Sequence, residues 1–278
     1  MWLLSSAMGC AYSAFANTGW LDPPYCQAMN SPPARLRTWR PHRTRSVEMT
    51  ALDRFNLPAL SGAQMREVDR AMIEDLHIEL TQMMENAGRS LAELAITRFS
   101  PRSVTVLAGP GGNGGGGMVA ARHLANRGCA VQVVLSDPDN LAPIPAHQAD
   151  ILCRMGVAIA EWPAPAQLVV DALIGYSLHG SPEGRVAELI EWANGQPSPI
   201  LALDTPTGLD VTTGIAAALS IVAAATLTLA LPKVGLLEAP TVGDLYLADI
   251  SVPASVYRRM GILLPQLFRD SAVIRLGP

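Results

Sequence analysis

The stretch Val104–Leu135, VTVLAGPGGNGGGGMVAARHLANRGCAVQVVL, decides the fold. Val104–Ala108 is a short apolar run rich in β-branched residues, which reads as a buried strand. It ends in a run with seven glycines among the nine residues Gly109–Gly117. The next segment, MVAARHLANRG, has helical character and stops at Gly128, where glycine supplies the usual helix terminator. Val131–Leu135 is a second apolar strand. Strand, glycine loop, helix, strand is a βαβ unit, which implies a right-handed crossover and a parallel sheet. A glycine-rich turn leading into a helix leaves backbone N–H groups free to approach a ligand, and the helix adds its positive end. Phosphate or pyrophosphate is the natural guest, and a flexible turn without a ligand is the plainer alternative. The spacing Gly109-x-Gly111-x-x-Gly114 fits a dinucleotide fingerprint, but so would almost any run this rich in glycine. No GK[ST] follows, so a P-loop ATPase is excluded.

The pattern repeats outward from this unit. On the N-terminal side, Ser61 is a plausible N-cap for a helix through Leu76, with Met65, Val68, Met72 and Leu76 at helical spacing. A second helix runs from about Thr81 to Phe99. On the C-terminal side follow a helix stopping at Gly156, a strand Leu168–Leu173, a helix from Gly184 and a strand Ile200–Asp204. The runs Thr226–Leu231 and Asp244–Ile250 complete the set. Strands that are apolar along their whole length are buried on both faces. The expected fold class is α/β: a three-layer Rossmann-like sandwich with a mainly parallel central sheet, formed by residues 49–278.

Residues 1–48 read differently. Five arginines (Arg35, Arg37, Arg40, Arg43 and Arg45) stand against one acid, Asp22, in the first 45 residues, and no apolar periodicity is present. An unstructured leader, or a start placed too early with Met49 as the true first residue, fits best; a targeting peptide and an RNA-binding arm are the alternatives. The arginines follow the apolar stretch, the reverse of a secretory signal. Ile215–Leu231 is uncharged but short and Ala-rich, and it reads as a buried helix followed by a buried strand, not as a membrane span.

Across its 278 residues the chain is 49% hydrophobic and 16% charged with a net charge of −4, a globular composition that argues against a nucleic-acid backbone as the main partner. Four cysteines without CxxC spacing carry no zinc signature and no disulfide framework, which favours a reducing, cytoplasmic setting.

In open parallel sheets ligands sit beyond the carboxyl ends of the strands. Asp171 and Asp204 stand at two such ends, and buried carboxylates are costly unless paired, metal-bound or hydrogen-bonded. Asn113, Asp171 and Thr207 could supply oxygen ligands to a hard cation. Lys233 is the only lysine, against 19 arginines, and a lysine surviving that bias in an apolar segment points to a need for an ammonium. No pair of histidines has metal-ligand spacing; His123 reads as structural, and His179, after Asp171, is the one of interest. A dehydrogenase would recruit Asp137 for a ribose, but no hydride-transfer constellation is recognisable.

Six blocks in order, LSGAQMREVDRAMIEDLHIELTQMMENAGRSLAELA, GPGGNGGGGMVAARHLANRG, VVDALIG, ALDTPTGLD, LPKVGLL and GDLYLADISVP, resemble the YjeF N-terminal domain family, the NAD(P)H-hydrate epimerases, over about residues 58–256. The resemblance implies a Rossmann-like, often dimeric domain that interconverts the R and S hydrates of NADH and NADPH (NADHX and NADPHX). It also implies an NAD(P)HX dehydratase, separate or fused, that repairs the S form; here a separate one is expected. Carried over residue by residue, Asn113, Asp171 and Thr207 match potassium positions. Gly112, Asn113, Gly114, Gly115 and Gly116, the loop Gly175, Tyr176, Ser177, Leu178, His179, Gly180 and Ser181, and Asp204 match substrate positions.

Where the family loop reads GPGNNGGDG, this chain has Gly112 for Asn and Gly116 for Asp. Tyr176 and Ser177 stand in place of the Thr-Gly of GTGL, and Thr207 replaces a Ser. Epimerisation beside a ring nitrogen needs proton transfer and stabilisation of an iminium-like carbon, for which Asp204 is the first candidate and Lys233 the second. Two readings follow: an active epimerase, or a catalytically weakened member kept as a nucleotide-binding or dimeric interaction module.

Overall fold

The structure, a computed structural model, describes residues 51–178 and 180–277. The reading of residues 1–48 as a leader lies outside the described residues. A nine-stranded sheet runs in the order β1-β9-β8-β7-β6-β5-β2-β3-β4. In chain order the strands are β1 (Leu52–Asp53), β2 (Ser103–Ala108), β3 (Ala130–Leu135), β4 (Ala158–Ala160), β5 (Leu168–Ala172), β6 (Ile200–Leu203), β7 (Ala225–Leu229), β8 (Asp244–Ala248) and β9 (Val273–Gly277). Every pairing is parallel except β8 with β9. The helices are α1 (Gly62–Arg70), α2 (Leu80–Phe99), α3 (Gly112–Asn126), α4 (Pro143–Arg154), α5 (Gly184–Asn194) and α6 (Ala254–Arg259).

The two-residue period of the strands sorts the core into layers. Val104, Val106, Ala108, Leu168, Val170, Ala172, Leu201 and Leu203 pack with Leu91, Met118, Leu124 and Leu152 of α2, α3 and α4. The alternate residues Leu107, Val134, Val169 and Ala202 pack with Leu189, Ile190 and Ala193 of α5 on the other face. The three-layer architecture expected from the sequence is therefore present. Ser61 caps α1 in a reciprocal box: its hydroxyl accepts from the Gln64 N–H while Gln64 Oε1 accepts from the Ser61 N–H. Beyond Arg70 the helix widens into a π-helical turn over Ala71–Asp75, where the Leu76 N–H reaches back to the Ala71 carbonyl.

Two expectations are corrected. The glycine run is not a loop up to Gly117: α3 begins at Gly112, so Gly112–Gly117 form its first turns. Glycine is a poor helix former, by about 1 kcal/mol per residue relative to Ala. Close packing overrides that preference here. A methyl group added at Gly114 would stand 1.8 Å from the Gly109 carbonyl oxygen, at Gly115 2.5 Å from Met84, and at Gly117 2.4 Å from the Ala172 Cβ. On the facing helix, one added at Gly88 would stand 2.5 Å from Val119 and 2.6 Å from the Gly116 carbonyl oxygen. The glycines let α3 approach α2 and β5 more closely than any side chain permits.

The second correction concerns Ile215–Ala224, which forms no helix. Its amides bond sideways instead, Ala217 N–H to the Gly208 carbonyl and Ile221 N–H to the Thr207 carbonyl. An Ala-rich run without an apolar stripe has propensity for a helix but no face to bury, and lying extended beside residues 207–209 satisfies its backbone. The strand expected at its end is present as β7. Among the described residues no helix is long and apolar enough to cross a membrane.

Candidate active site

A cavity of about 280 Å³ opens at the carboxyl ends of β5, β6 and β7, against the start of α3. Met65, Met83, Met84, Leu203, Leu229 and Ile250 make its apolar wall, and Asp69, Asn113, Tyr176, Ser177 and Asp204 its polar side. Gly112 and Gly116 also line it. An apolar hollow with a few convergent polar groups at strand ends is where an α/β sheet binds small molecules.

Asp204 follows the last residue of β6 and is buried, with φ +66. The left-handed conformation is uncommon for a residue with a Cβ and clusters at functional positions. Its Oδ1 accepts from the Lys233 ammonium, and its Oδ2 accepts from the Tyr176 N–H at 3.1 Å. Lys233 is fully buried. Its other two N–H bonds go to Thr228 Oγ1 at 3.1 Å and the Leu229 carbonyl at 2.9 Å, so all three donors are used. Lys233 does not line the cavity. It stands behind Asp204 and acts on the site through that carboxylate.

Asp171 is wholly buried on β5. It accepts from the Thr207 N–H at 2.8 Å, the Thr207 hydroxyl at 2.7 Å and the Leu173 N–H at 3.2 Å. Burial pushes its pKa up to about 6, against the pull of the Thr207 and Leu173 donors. Among the described residues only neutral groups hydrogen-bond to it, and none of them supplies a counter-charge. The Thr207 hydroxyl in turn accepts from the Ile174 N–H at 3.1 Å. The next residue, Gly175, is where the sites meet: an added methyl would be 3.1 Å from Asp204 Oδ2 and 3.2 Å from Asn113 Oδ1. Asn113 itself has a buried amide nitrogen with no hydrogen-bond partner among the described residues.

The remaining substrate-loop candidates are spread out. Leu178 borders a neighbouring hollow with Arg66 and Thr212. Gly180 and Ser181 are exposed, and His179 lies outside the described residues. Gly114 and Gly115 are packing positions away from the cavity wall. Asp137 is engaged by the Asn140 amide at 3.0 Å and is not part of the cavity lining.

Sequence reasoning missed Asp69. It sits four residues after Met65 and three before Met72, inside the stripe of α1 that is otherwise apolar, and its Oδ2 accepts from the Tyr176 hydroxyl. A carboxylate in an apolar slot of an amphipathic helix was the available signal. Burial raises its pKa above the ordinary carboxylate value; the Tyr176 hydrogen bond opposes this, and the nearby charge of Asp204 adds to it.

The sequence matches the family described as YjeF-related protein N-terminus over residues 80–235, more than half the chain. The chain belongs to this family. It is 47% identical over 225 residues to an NAD(P)H-hydrate epimerase of Dehalogenimonas lykanthroporepellens, covering 78% of this chain and 91% of that protein. A bifunctional NAD(P)H-hydrate repair enzyme of Salinibacter ruber is 36% identical over 228 residues, 73% of this chain but only 42% of that relative. The chain thus spans less than half the length of the bifunctional relative. The crystal structure of yeast ynu0 shares the fold, with a TM-score of 0.71, 24% identity, and coverage of 79% of this chain and 100% of that one. Within the YjeF-related N-terminal fold, the site assembles at the start of α3 and the ends of β5 and β6.

Proposed function

We propose that this chain is an NAD(P)H-hydrate epimerase, an isomerase that interconverts the R and S hydrates of NADH and NADPH in nicotinamide nucleotide repair. The single observation that carries the reading is the buried Asp204–Lys233 pair presented to an apolar cavity at the strand ends. Epimerisation at the carbon bearing the hydroxyl passes through a cationic, iminium-like carbon. A fixed carboxylate beside that carbon stabilises the charge without reorganising. Lys233 and the Tyr176 N–H hold Asp204 in place, and the methionine-rich wall excludes water from the reacting face.

Asn113, Asp171 and Thr207 each offer a side-chain oxygen, and Asp171 needs a positive neighbour, so a potassium ion fits this donor set and we propose it as the resident cation. If bound, it would supply the counter-charge for Asp171. The residues of the chain do the rest: Gly112 and Asn113 bring the N-terminus of α3 to the substrate, and Gly175–Ser177 line the approach. We further propose a homodimer, whose mass in solution light scattering would report, and a dehydratase consuming the S hydrate as the next activity in sequence.

A Cβ added at Gly112 would meet nothing within 4 Å, and one at Gly116 would meet only the end of the Leu203 side chain, so both departures leave the cavity wall open rather than filled. The test uses an S-specific dehydratase and a mixture of both hydrates. With catalytic amounts of this protein added, the dehydratase consumes the mixture completely. Consumption that stops when the S form is exhausted would refute the proposal and favour a nucleotide-binding module.

A further inference from the structure

We infer that Asp69 is the second acid–base group of this cavity, the residue that holds the proton exchanged with the substrate hydroxyl while Asp204 stays paired with Lys233. The inference rests on the epimerase reading and adds a division of labour between two carboxylates.

The geometry separates them. Asp204 has a cation on Oδ1 and a backbone N–H on Oδ2, so both oxygens are engaged. Asp69 has a neutral phenol on Oδ2, and no partner for Oδ1 is seen among the described residues. Both line the same cavity. Tyr176 ties them together, its hydroxyl donating to Asp69 and its N–H donating to Asp204. The groups facing Asp69 are therefore Tyr176 from the loop after β5, Asp204 after β6, Lys233 after β7 and Tyr257 on α6. The ammonium of Lys233 bonds Asp204, Thr228 and Leu229 and makes no hydrogen bond to Asp69, so it opposes the rise of Asp69 only at a distance, after the Asp204 carboxylate that adds to it. Burial first, then the Asp204 charge, raises Asp69 above the ordinary carboxylate value, against the Tyr176 hydrogen bond and the Lys233 charge, the direction that favours a carboxyl group able to hold a proton.

The step balances within the site. Protonated Asp69 gives its proton to the hydroxyl oxygen of the hydrate. The C–O bond breaks with its electron pair going to oxygen, which leaves as water, and the ring-nitrogen lone pair forms the C=N bond of the iminium. Water then adds to the opposite face, the C=N pair returns to nitrogen, and the surplus proton goes back to Asp69. Nothing is oxidised or reduced, and enzyme and water are restored.

The experiment measures kcat and KM for the isolated R hydrate across pH for wild type, Asp69→Asn, Tyr176→Phe and, as a control on the exposed face of α1, Glu67→Gln. The expected result for Asp69→Asn is a fall in kcat of about 10²–10⁴-fold, the usual contribution of general acid–base catalysis, with KM nearly unchanged. Tyr176→Phe removes the hydrogen bond that favours the charged form, so its pH profile moves to higher pH. Glu67→Gln leaves both as in wild type. If Asp69→Asn does not fold, the Tyr176→Phe profile decides: a limb that stays in place overturns the inference. An active wild type matched by Asp69→Asn, within threefold and with the same pH limb, also overturns it while sparing the epimerase reading. A wild type no faster than buffer overturns both.

Discussion

Replacing Lys233 by Met keeps the volume of a fully buried side chain and removes its charge. In the native protein the ammonium makes three bonds, to Asp204 Oδ1, Thr228 Oγ1 and the Leu229 carbonyl. The substitution leaves Asp204, whose side chain is 5% exposed, as a buried carboxylate held by one backbone N–H. Removing one partner of a buried pair costs about 3–5 kcal/mol, because the remaining charge has lost its compensation. Against a total of about 5–15 kcal/mol for a domain, that is a large share. At roughly 2–4 °C per kcal/mol for a domain of this size, the melting temperature should fall by about 6–20 °C. The assay is urea unfolding followed by circular dichroism, with the double variant Lys233→Met/Asp204→Asn beside it. The double variant leaves no unpaired charge at this position and should recover more than about 1 kcal/mol of the loss. A single variant within about 1 kcal/mol of wild type, or a double variant no more stable than the single, would refute the pairing argument.

Gly88→Ala should destabilise by about 1–3 kcal/mol or more, since the new methyl meets Val119 and the backbone of Gly116, whereas Gly112→Ala meets nothing; equal urea midpoints for the two would contradict the close-approach account. Gly116→Asp should fold at a smaller cost than Gly88→Ala, because its Cβ at 2.8 Å meets only the end of the Leu203 side chain and Gly116 has no left-handed φ to lose. Potassium should raise the melting temperature relative to tetramethylammonium, by linkage worth about 2.7 kcal/mol at a hundred times its dissociation constant, and Asp171→Ala should abolish the difference. Identical melting in the two salts would remove the cation site. Burial alone would raise Glu85, but His123 and Arg122 outweigh it and hold the carboxyl below its ordinary value. The contribution of that cluster is present above the unfolded carboxylate pKa and lost as pH falls through the folded one. Glu85→Gln should therefore narrow the gap between urea midpoints at neutral and acid pH, and an unchanged gap would contradict it.

The strands were legible because parallel sheets bury both faces, so Val104–Ala108 and Leu168–Leu173 show as unbroken apolar runs. Asp171 and Asp204 stood out against those runs, and Lys233 against a lysine-free background. The structure places an ammonium there with every donor used. The glycine run reads as a loop since local propensity is all a sequence displays, whereas its helical state depends on Met84, Ala172 and Leu203 packed against it from elsewhere. Ile215–Ala224 misleads for the reverse reason: its helical propensity is real, but its hydrogen-bond partners at Thr207 and Gly208 are close enough to compete. Asp69 was hidden because its meaning depends on Tyr176, more than a hundred residues away in the chain. The strand β9 and its antiparallel pairing with β8 are hard to read because Val273–Gly277 is five residues interrupted by Arg275, and a hairpin partner ending as far back as Ala248 leaves no short-range signal.

The most direct measurement starts from the isolated R hydrate of NADH and follows the appearance of the S hydrate by chromatography, with purified protein, with Asp204→Ala and in buffer alone. The account predicts that wild type approaches the equilibrium mixture far faster than buffer and that Asp204→Ala falls back toward the buffer rate. Wild type indistinguishable from buffer, while still binding NADH or ADP-ribose, would contradict the claim that this site carries out epimerisation.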